Sequence, residues 1–509
     1  MKWRVLFVAV LAVWVPPQPA SPPPLKVDAH AFVDPDGHRV VLRGVASMGM
    51  AMVYGNKDRS GGGSPMSVAQ YVDRATQTDA TGGKWYSNAI RLSFERFPVT
   101  NPTRLYTTEN TPYAMPDTIA FGEWQSSHTY ADGEMVAWKG KRYRVAAKLW
   151  RADRGLAWNP SPYKVGDIVV NLERNIYRCT SSTGKGVPAG DWGRYPRGTA
   201  EGIVEDQGGV QYEWQYVGPF GQSGSTSPFT QQAVSDNRVD WYLDNLVQWQ
   251  YVSPDYSKTK AQENFTDWKS KVMDPAVKRA VDIGLYVVIT EFDFGPAQHP
   301  LRRARLLDFW TRMATSQWAN HPQVLFELWN ESEDIGPYKG GPGSWTLQKP
   351  VIQETVDAIR AAGARNIVII PTPFYSAWIG EATASALSGT NLAYALHQYR
   401  SQWESYSSNR EQILQGLASG QAIVVTEWGD DTSETNPALM WPKATKVDPP
   451  LQRLLEPTDG SRGAAGWFAW ALSHTWAPGL FRDEALMRPT PFGIATRQWL
   501  SEVRDERKP

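Results

Sequence analysis

Val324-Leu325-Phe326-Glu327-Leu328-Trp329-Asn330-Glu331 is an apolar run that ends on an Asn-Glu pair. A stretch this apolar suits a parallel strand buried on both faces, and a (β/α)8 barrel keeps its chemistry at the C-terminal ends of such strands. Glu331 is therefore the first catalytic candidate. Taken alone, the stretch is explained equally well by Asn330 capping a following helix, since Asn is a favoured N-cap.

Similar short β-branched or aromatic runs begin near Arg43, Asn88, Tyr286, Ile367, Leu392, Ile423 and Gly466, making eight strands with Val324. Between them the apolar period changes to that of a helix. Leu306, Trp310 and Met313 follow i, i+4, i+7, as do Ile352, Val356 and Ile359, and Gly363 is placed to end the second helix in a left-handed cap. Strand-helix alternation predicts a parallel sheet, and eight repeats predict an α/β fold closed as a (β/α)8 TIM barrel. A doubly wound open sheet is the alternative. Ahead of the first strand, Asp34-Pro35-Asp36-Gly37 lies between Phe32-Val33 and Val40-Leu42, a hairpin expected to close the barrel floor.

One connection is far longer than the rest. The second strand starts near Asn88 and the third near Tyr286, which leaves about 160 surplus residues in the loop after strand two. Within it Tyr130-Ala-Asp-Gly-Glu-Met-Val136, followed by Trp138 and Tyr143, parallels Tyr163-Lys-Val-Gly-Asp-Ile-Val169, followed by Tyr177-Arg-Cys179. Two small β units are expected there, forming an all-β insertion beside the barrel mouth and punctuated by Trp124, Trp150, Trp158, Trp192 and Trp214. Exposed aromatic rings of this kind suit the flat faces of sugars, whereas buried ones would be the cores of small domains. From Phe229 to Val252 and from Phe265 to Ile283 helices are expected. The resulting partition is 1–20 signal peptide, 21–26 Pro-rich linker, 27–120 first part of the barrel, 121–220 insert and 221–509 remainder of the barrel.

Lys plus Arg and Asp plus Glu both total 52, so no net field favours nucleic acid or an anionic membrane. Lys2 and Arg4, the apolar run Val5 to Val15 and Ala20 after prolines have the layout of a secretory signal. That run is too short to span a bilayer, so a secreted protein, extracellular or periplasmic, is expected. With Cys179 alone, no intrachain disulfide is possible.

Strand seven, Ile423-Val-Val-Thr-Glu427-Trp-Gly429, brings a second carboxylate to the same mouth as Glu331. Two carboxylates facing each other there fit glycoside hydrolysis, one protonating the leaving oxygen and the other attacking the anomeric carbon, and about 5 Å between them means retention. Other strand ends add Arg91, whose charge favours an ionised Glu427, Asn330, a partner for a sugar 2-hydroxyl, and His397 and Tyr399 on strand six. Trp470 on strand eight would floor the subsite beside the cleaved bond. No His-Glu-x-x-His metal spacing and no nucleotide loop occurs, so neither a metal nor a cofactor is expected.

Over roughly residues 27 to 100 and 230 to 500 the chain resembles the clan A glycoside hydrolases, most closely the cellulase-type family 5. The resemblance rests on Asp36-Gly37 with Leu42-Arg43-Gly44, Ile90-Arg91-Leu92, Glu327-Leu-Trp-Asn330-Glu331, His397-Gln-Tyr399, Val425-Thr-Glu427-Trp-Gly429 and Trp467 to Trp470. It implies Glu331 as acid/base and Glu427 as nucleophile, with Arg91, Asn330, His397, Tyr399 and Trp470 binding substrate or supporting. It also implies a third-strand His that contacts sugar. Here Thr290-Glu291-Phe292-Asp293-Phe294 stands in that place, with Asp293 or His299 as substitutes. The insert, over Trp124 to Val217, resembles chitin- and cellulose-type carbohydrate-binding modules. The expected function is that of a secreted, monomeric, retaining endo-β-1,4-glycanase acting on a cellulose-type polysaccharide. A mannanase on the same fold, or a barrel that binds sugar without turnover, is the alternative.

Overall fold

The computed structural model describes residues 21–54, 66–95, 265–293, 300–332, 344–405, 407–441, 454–456, 462–483 and 487–504, together with the strands between 135 and 254 given below. Eight parallel strands close into a barrel: β1 (Leu42–Gly49), β2 (Ala89–Glu95), β3 (Tyr286–Phe292), β4 (Val324–Glu327), β5 (Val368–Ile370), β6 (Leu392–Tyr399), β7 (Ala422–Gly429) and β8 (Gly466–Leu472). An open sheet is thereby excluded. The strands begin within a residue or two of the runs read from the sequence.

Side chains alternate between two cores. Val287 and Ile289 of β3 and Ile423 and Val425 of β7 face outward and pack with Leu306, Trp310, Met313, Ile352, Val356 and Ile359 of the helices Pro300–Ala314 and Ser344–Ala361. Gly363 follows the second helix at φ +93°, a backbone state that costs Gly little. Tyr286 and Val288 of β3 and Ala422 and Val424 of β7 face inward. Phe32 joins that interior from the N-terminal hairpin, in which Ala31–Val33 pairs antiparallel with Arg39–Val40. The turn is held by Asp34, whose carboxylate accepts the backbone N–H groups of Asp36 and His38.

At the end of β2 the carboxyl of Glu95 is buried. Glu95 Oε2 accepts the N–H of Ala51 at 2.8 Å, and a Cβ on Gly49 would lie 1.4 Å from Oε1, so the neighbouring strand must carry Gly there. Burial raises the Glu95 carboxyl from 4.5 to about 7, against the lowering effect of the Ala51 and Met52 amides. A carboxyl with a raised native pKa penalises the native state as pH rises from the unfolded to the folded value, here by at most about 3 kcal/mol above pH 7. Glu95→Gln, which keeps an acceptor for Ala51, should gain little thermal stability at pH 5 and a few degrees at pH 8 by calorimetry. Equal gains at both pH values would exclude ionisation as the cause.

The insert departs from expectation in an informative way. The two hairpins read from the repeat are present, as Met135–Trp138 with Lys141–Val145 and Ile168–Val170 with Asn175–Ser182. The helix expected over 229–252 is absent: Gln232–Asp236, Val239–Asp244 and Val247–Pro254 are strands. The apolar positions Val247, Trp249 and Tyr251 alternate with Gln248 and Gln250, a period of two that decides for strand. These strands join Met135–Val145 in a five-stranded sheet, so the chain past residue 220 first completes the first β unit and does not return directly to the barrel.

The second unit is a four-stranded sheet of Ile168–Val170, Asn175–Ser182, Ile203–Gln207 and Val210–Pro219. Its last strand reads Trp214-Gln-Tyr-Val-Gly-Pro219, and that of the first unit reads Trp249-Gln-Tyr-Val-Ser-Pro254. Tyr216 lies opposite Tyr177 and Trp214 opposite Cys179; Tyr251 lies opposite Tyr143 and Trp249 opposite Val145. Each pairing shifts register just after its Tyr. The two units thus share one pattern, and the second is threaded into the first between Val145 and Gln232.

Candidate active site

Inward positions near the C-terminal ends of the strands carry polar groups in place of apolar ones. Arg91 continues the inward parity of Ala89 on β2, Thr290 that of Val288 on β3, Glu327 that of Leu325 on β4 and His397 that of Ala395 on β6. Strict alternation from Val424 on β7 would turn Thr426 inward and Glu427 outward. The ladder does otherwise: Leu396 pairs with Val425, and the next residue, His397, pairs with Glu427. Thr426 is the extra residue of a β-bulge, the device that re-aims a side chain beside a functional site.

Arg91 is fully buried and uses three nitrogens. Nε donates to Glu327 Oε2 at 2.5 Å, Nη1 to Glu427 Oε1 at 2.7 Å and Nη2 to Asn330 Oδ1 at 2.7 Å. The Tyr399 hydroxyl donates to the other oxygen of Glu427, Oε2, at 2.8 Å. His397 Nδ1 lies 2.8 Å from Glu331 Oε1 and 3.5 Å from Glu427 Oε2. Carboxylate and imidazole atoms of Glu331, His397 and Glu427 all fall within 4.8 Å of one another. Such a trio could hold a metal ion, but the Arg91 guanidinium already brings positive charge to Glu427.

Protonation follows from burial and neighbours. Burial lowers His397, which favours a neutral ring beside the two carboxylates. Burial likewise raises Tyr399 well above the usual phenol range, reinforced by Glu427 and Glu331, and its proton stays in place. Glu427 is raised above an ordinary glutamate by burial, with Glu331 adding to it and His397, Arg91 and the Tyr399 hydroxyl opposing.

Trp470 closes one side. Its ring stacks on Phe292 at 5.6 Å with planes 7° apart, and Trp476 tilts against both. Asp293, expected in the place of a sugar-binding His, is buried, and its backbone carbonyl accepts the Glu331 N–H at 3.4 Å. His299, the other substitute, lies outside the described residues. The structure thus gathers Arg91, Asn330, His397, Tyr399, Glu331 and Glu427 into one network, with Trp470 and Asp293 at its border.

Sequence reasoning passed over three contributors. Glu327 and Thr290 complete the Arg91 network, and the signal for Glu327 was a charge in the middle of an apolar strand. The third is the turn after β5, where Phe374, Tyr375 and Ser376 hold φ of 54°, 57° and 58°. Left-handed backbone costs roughly 1–2 kcal/mol per non-Gly residue. It persists here because Tyr375 N–H bonds Ser332 O and the Ser376 hydroxyl bonds Asn330 O, tying the turn to the strand end that bears Glu331.

Residues 298–473 match the family model of cellulase, glycosyl hydrolase family 5. The matched stretch runs from the helix before β4 to the end of β8. The match takes in Asn330, Glu331, His397, Tyr399, Glu427 and Trp470, while Arg91 and Asp293 precede it. Endoglucanase Z of Dickeya dadantii is 29% identical over 194 residues, covering 33% of this chain and 42% of that protein. Endoglucanase A of Evansella cellulosilytica is 25% identical over 270 residues, covering 53% and 50%. The chain thus spans half or less of these curated relatives. A solved GH5 cellulase from an Icelandic hot spring isolate superposes with a TM-score of 0.48 at 13% identity, covering 96% of each chain. Among the described residues, no helix is long and apolar enough to cross a membrane.

Proposed function

We propose that the chain is a retaining endo-β-1,4-glucanase in which Glu427 is the nucleophile and Glu331 the acid/base. The observation that carries this reading is the close approach of the two carboxyls, whose ligand atoms fall within 4.8 Å with that of His397. Retaining glycosidases hold the pair about 5–5.5 Å apart, whereas inverting ones leave room for a water. The asymmetry of the two environments assigns the roles. Glu427 is clamped by Arg91 and Tyr399 and is almost fully buried, as suits a group that stays ionised and fixed until it attacks. The Glu331 side chain keeps 17% exposure and meets a neutral imidazole, as suits a group that exchanges a proton with substrate and water.

In the first step Glu427 Oε attacks the anomeric carbon, the glycosidic bond breaks and the Glu331 proton passes to the departing oxygen. In the second, Glu331 takes a proton from water, whose oxygen attacks the same carbon and releases Glu427. Asn330, held by Arg91, faces the sugar 2-hydroxyl, and Trp470 supports the ring. The names of the relatives favour glucan as substrate. The N-terminal residues are proposed to direct export, and the two nested β units to hold a polysaccharide chain.

Purified protein on cellulose, carboxymethylcellulose, mannan and xyloglucan should release new reducing ends from a glucan, with the β-anomer appearing first by NMR. Binding with no release would leave only a sugar-binding barrel; the α-anomer first would overturn retention.

A further inference from the structure

Glu327 is a third carboxylate in the site, and it reaches no solvent: its side chain is 0% exposed. It therefore touches no substrate, and whatever it does must pass through its neighbours. These are two. Oε2 accepts from Arg91 Nε at 2.5 Å and from the Thr290 hydroxyl. Arg91 in turn spends its Nη1 on Glu427 Oε1. One permanent cation is thus shared between two carboxylates, one sealed in the barrel interior and the other at the reacting centre.

We propose that Glu327 is a positioning residue that sets the basicity of Glu427 through Arg91, resting on the assignment of Glu427 as nucleophile. A guanidinium devoted to Glu427 alone would hold its carboxylate at full strength and make it a weak attacker. Glu327 draws off part of that field, and its own charge repels the electrons of Glu427 slightly. Both effects keep Glu427 more basic, and nucleophilicity rises with basicity. The same salt bridge fixes the guanidinium plane, so that Nη2 stays on Asn330. The groups that face Glu427 are Arg91 from β2, Glu331 following β4, and His397 and Tyr399 from β6. Those on β6 remain in place whatever stands at 327.

Glu327→Gln tests the idea because an amide oxygen can still accept from Arg91 Nε, so the shape survives while the charge is lost. The acid limb of kcat/KM against pH should move to lower pH by on the order of one unit, the size expected for unit charges several Å apart at an effective dielectric constant near 20. At the optimum, kcat should fall about tenfold and KM should stay within about twofold. A merely structural role would lower activity with the limb unmoved. That outcome, or a limb moved upward, overturns the proposal.

Should Glu327→Gln fail to fold, Glu327→Asp keeps the charge on a shorter stem. The parent's acid limb should then be retained, and a displaced limb counts against the proposal. Failure of the functional reading is seen separately, as absence of turnover in the parent protein on every glucan.

Discussion

In Glu427→Gln, hydrolysis of a soluble glucan should fall by on the order of 10⁴-fold or more at every pH, with the fold and substrate affinity kept. The amide is isosteric: its one oxygen can still accept from Arg91 Nη1, and its NH2 then faces the Tyr399 hydroxyl, whose oxygen can turn to accept, so the network survives in shape. What is lost is the electron pair that forms the bond to the anomeric carbon. Glu327, sealed from solvent, cannot take its place. Single-turnover kinetics with a fluorogenic cello-oligosaccharide would make the measurement. Turnover within tenfold of the parent would refute the nucleophile assignment. The parent's own acid limb should lie above the range of an ordinary glutamate, since burial raises Glu427 and it must be ionised to attack.

Glu331→Gln should show a different loss, one that depends on the leaving group. A sugar leaving group needs its oxygen protonated, so natural substrate should suffer by roughly 10²- to 10⁴-fold, the usual size of general acid catalysis. An aryl glycoside with an acidic phenol leaves without help. Its first step should be nearly normal, and the covalent intermediate should accumulate because no base activates water. Added azide, a nucleophile that needs no base, should restore turnover with that substrate and yield a β-glycosyl azide. Equal losses on both substrates with no effect of azide would remove Glu331 from the role.

Much of this was open to reading from the chain. The eight apolar runs announce themselves because a strand buried on both faces must be apolar throughout, and Glu331 and Glu427 stand out at the ends of two of them. The bulge at Thr426 was not readable, since counting by twos from Val424 sends Glu427 outward and only the ladder with β6 corrects the count. The Arg91 to Glu327 bridge was half visible. A charge inside Val324 to Trp329 requires a partner, but Arg91 is 236 positions away, and sequence separation carries no such information. The helix expected over 229–252 fails because aromatic and apolar residues satisfy helical spacing by chance, while the alternation with Gln fixes a strand. The Trp-Gln-Tyr-Val repeat at 214–217 and 249–252 lay in plain view, yet the two copies close different sheets and two strands stand between them.

The threading of one β unit inside another, itself carried in a loop of the barrel, fixes a schedule for biosynthesis. As the chain emerges, Ala89–Glu95 has Leu42–Gly49 on one edge but waits for Tyr286–Phe292 on the other, and Lys141–Val145, paired with Met135–Trp138, waits for Val247–Pro254, while Asn175–Ser182 finds Val210–Pro219 after a much shorter delay. Loop closure costs grow only slowly with length, by about 0.6 kcal/mol per doubling, so the delay matters more than the entropy. Pulsed hydrogen exchange on nascent chains should find amides of 175–219 protected before those of 89–95. The ribosome therefore delivers the inserted β sheets first, and Arg91 meets both its carboxylates only after Glu427 has been made.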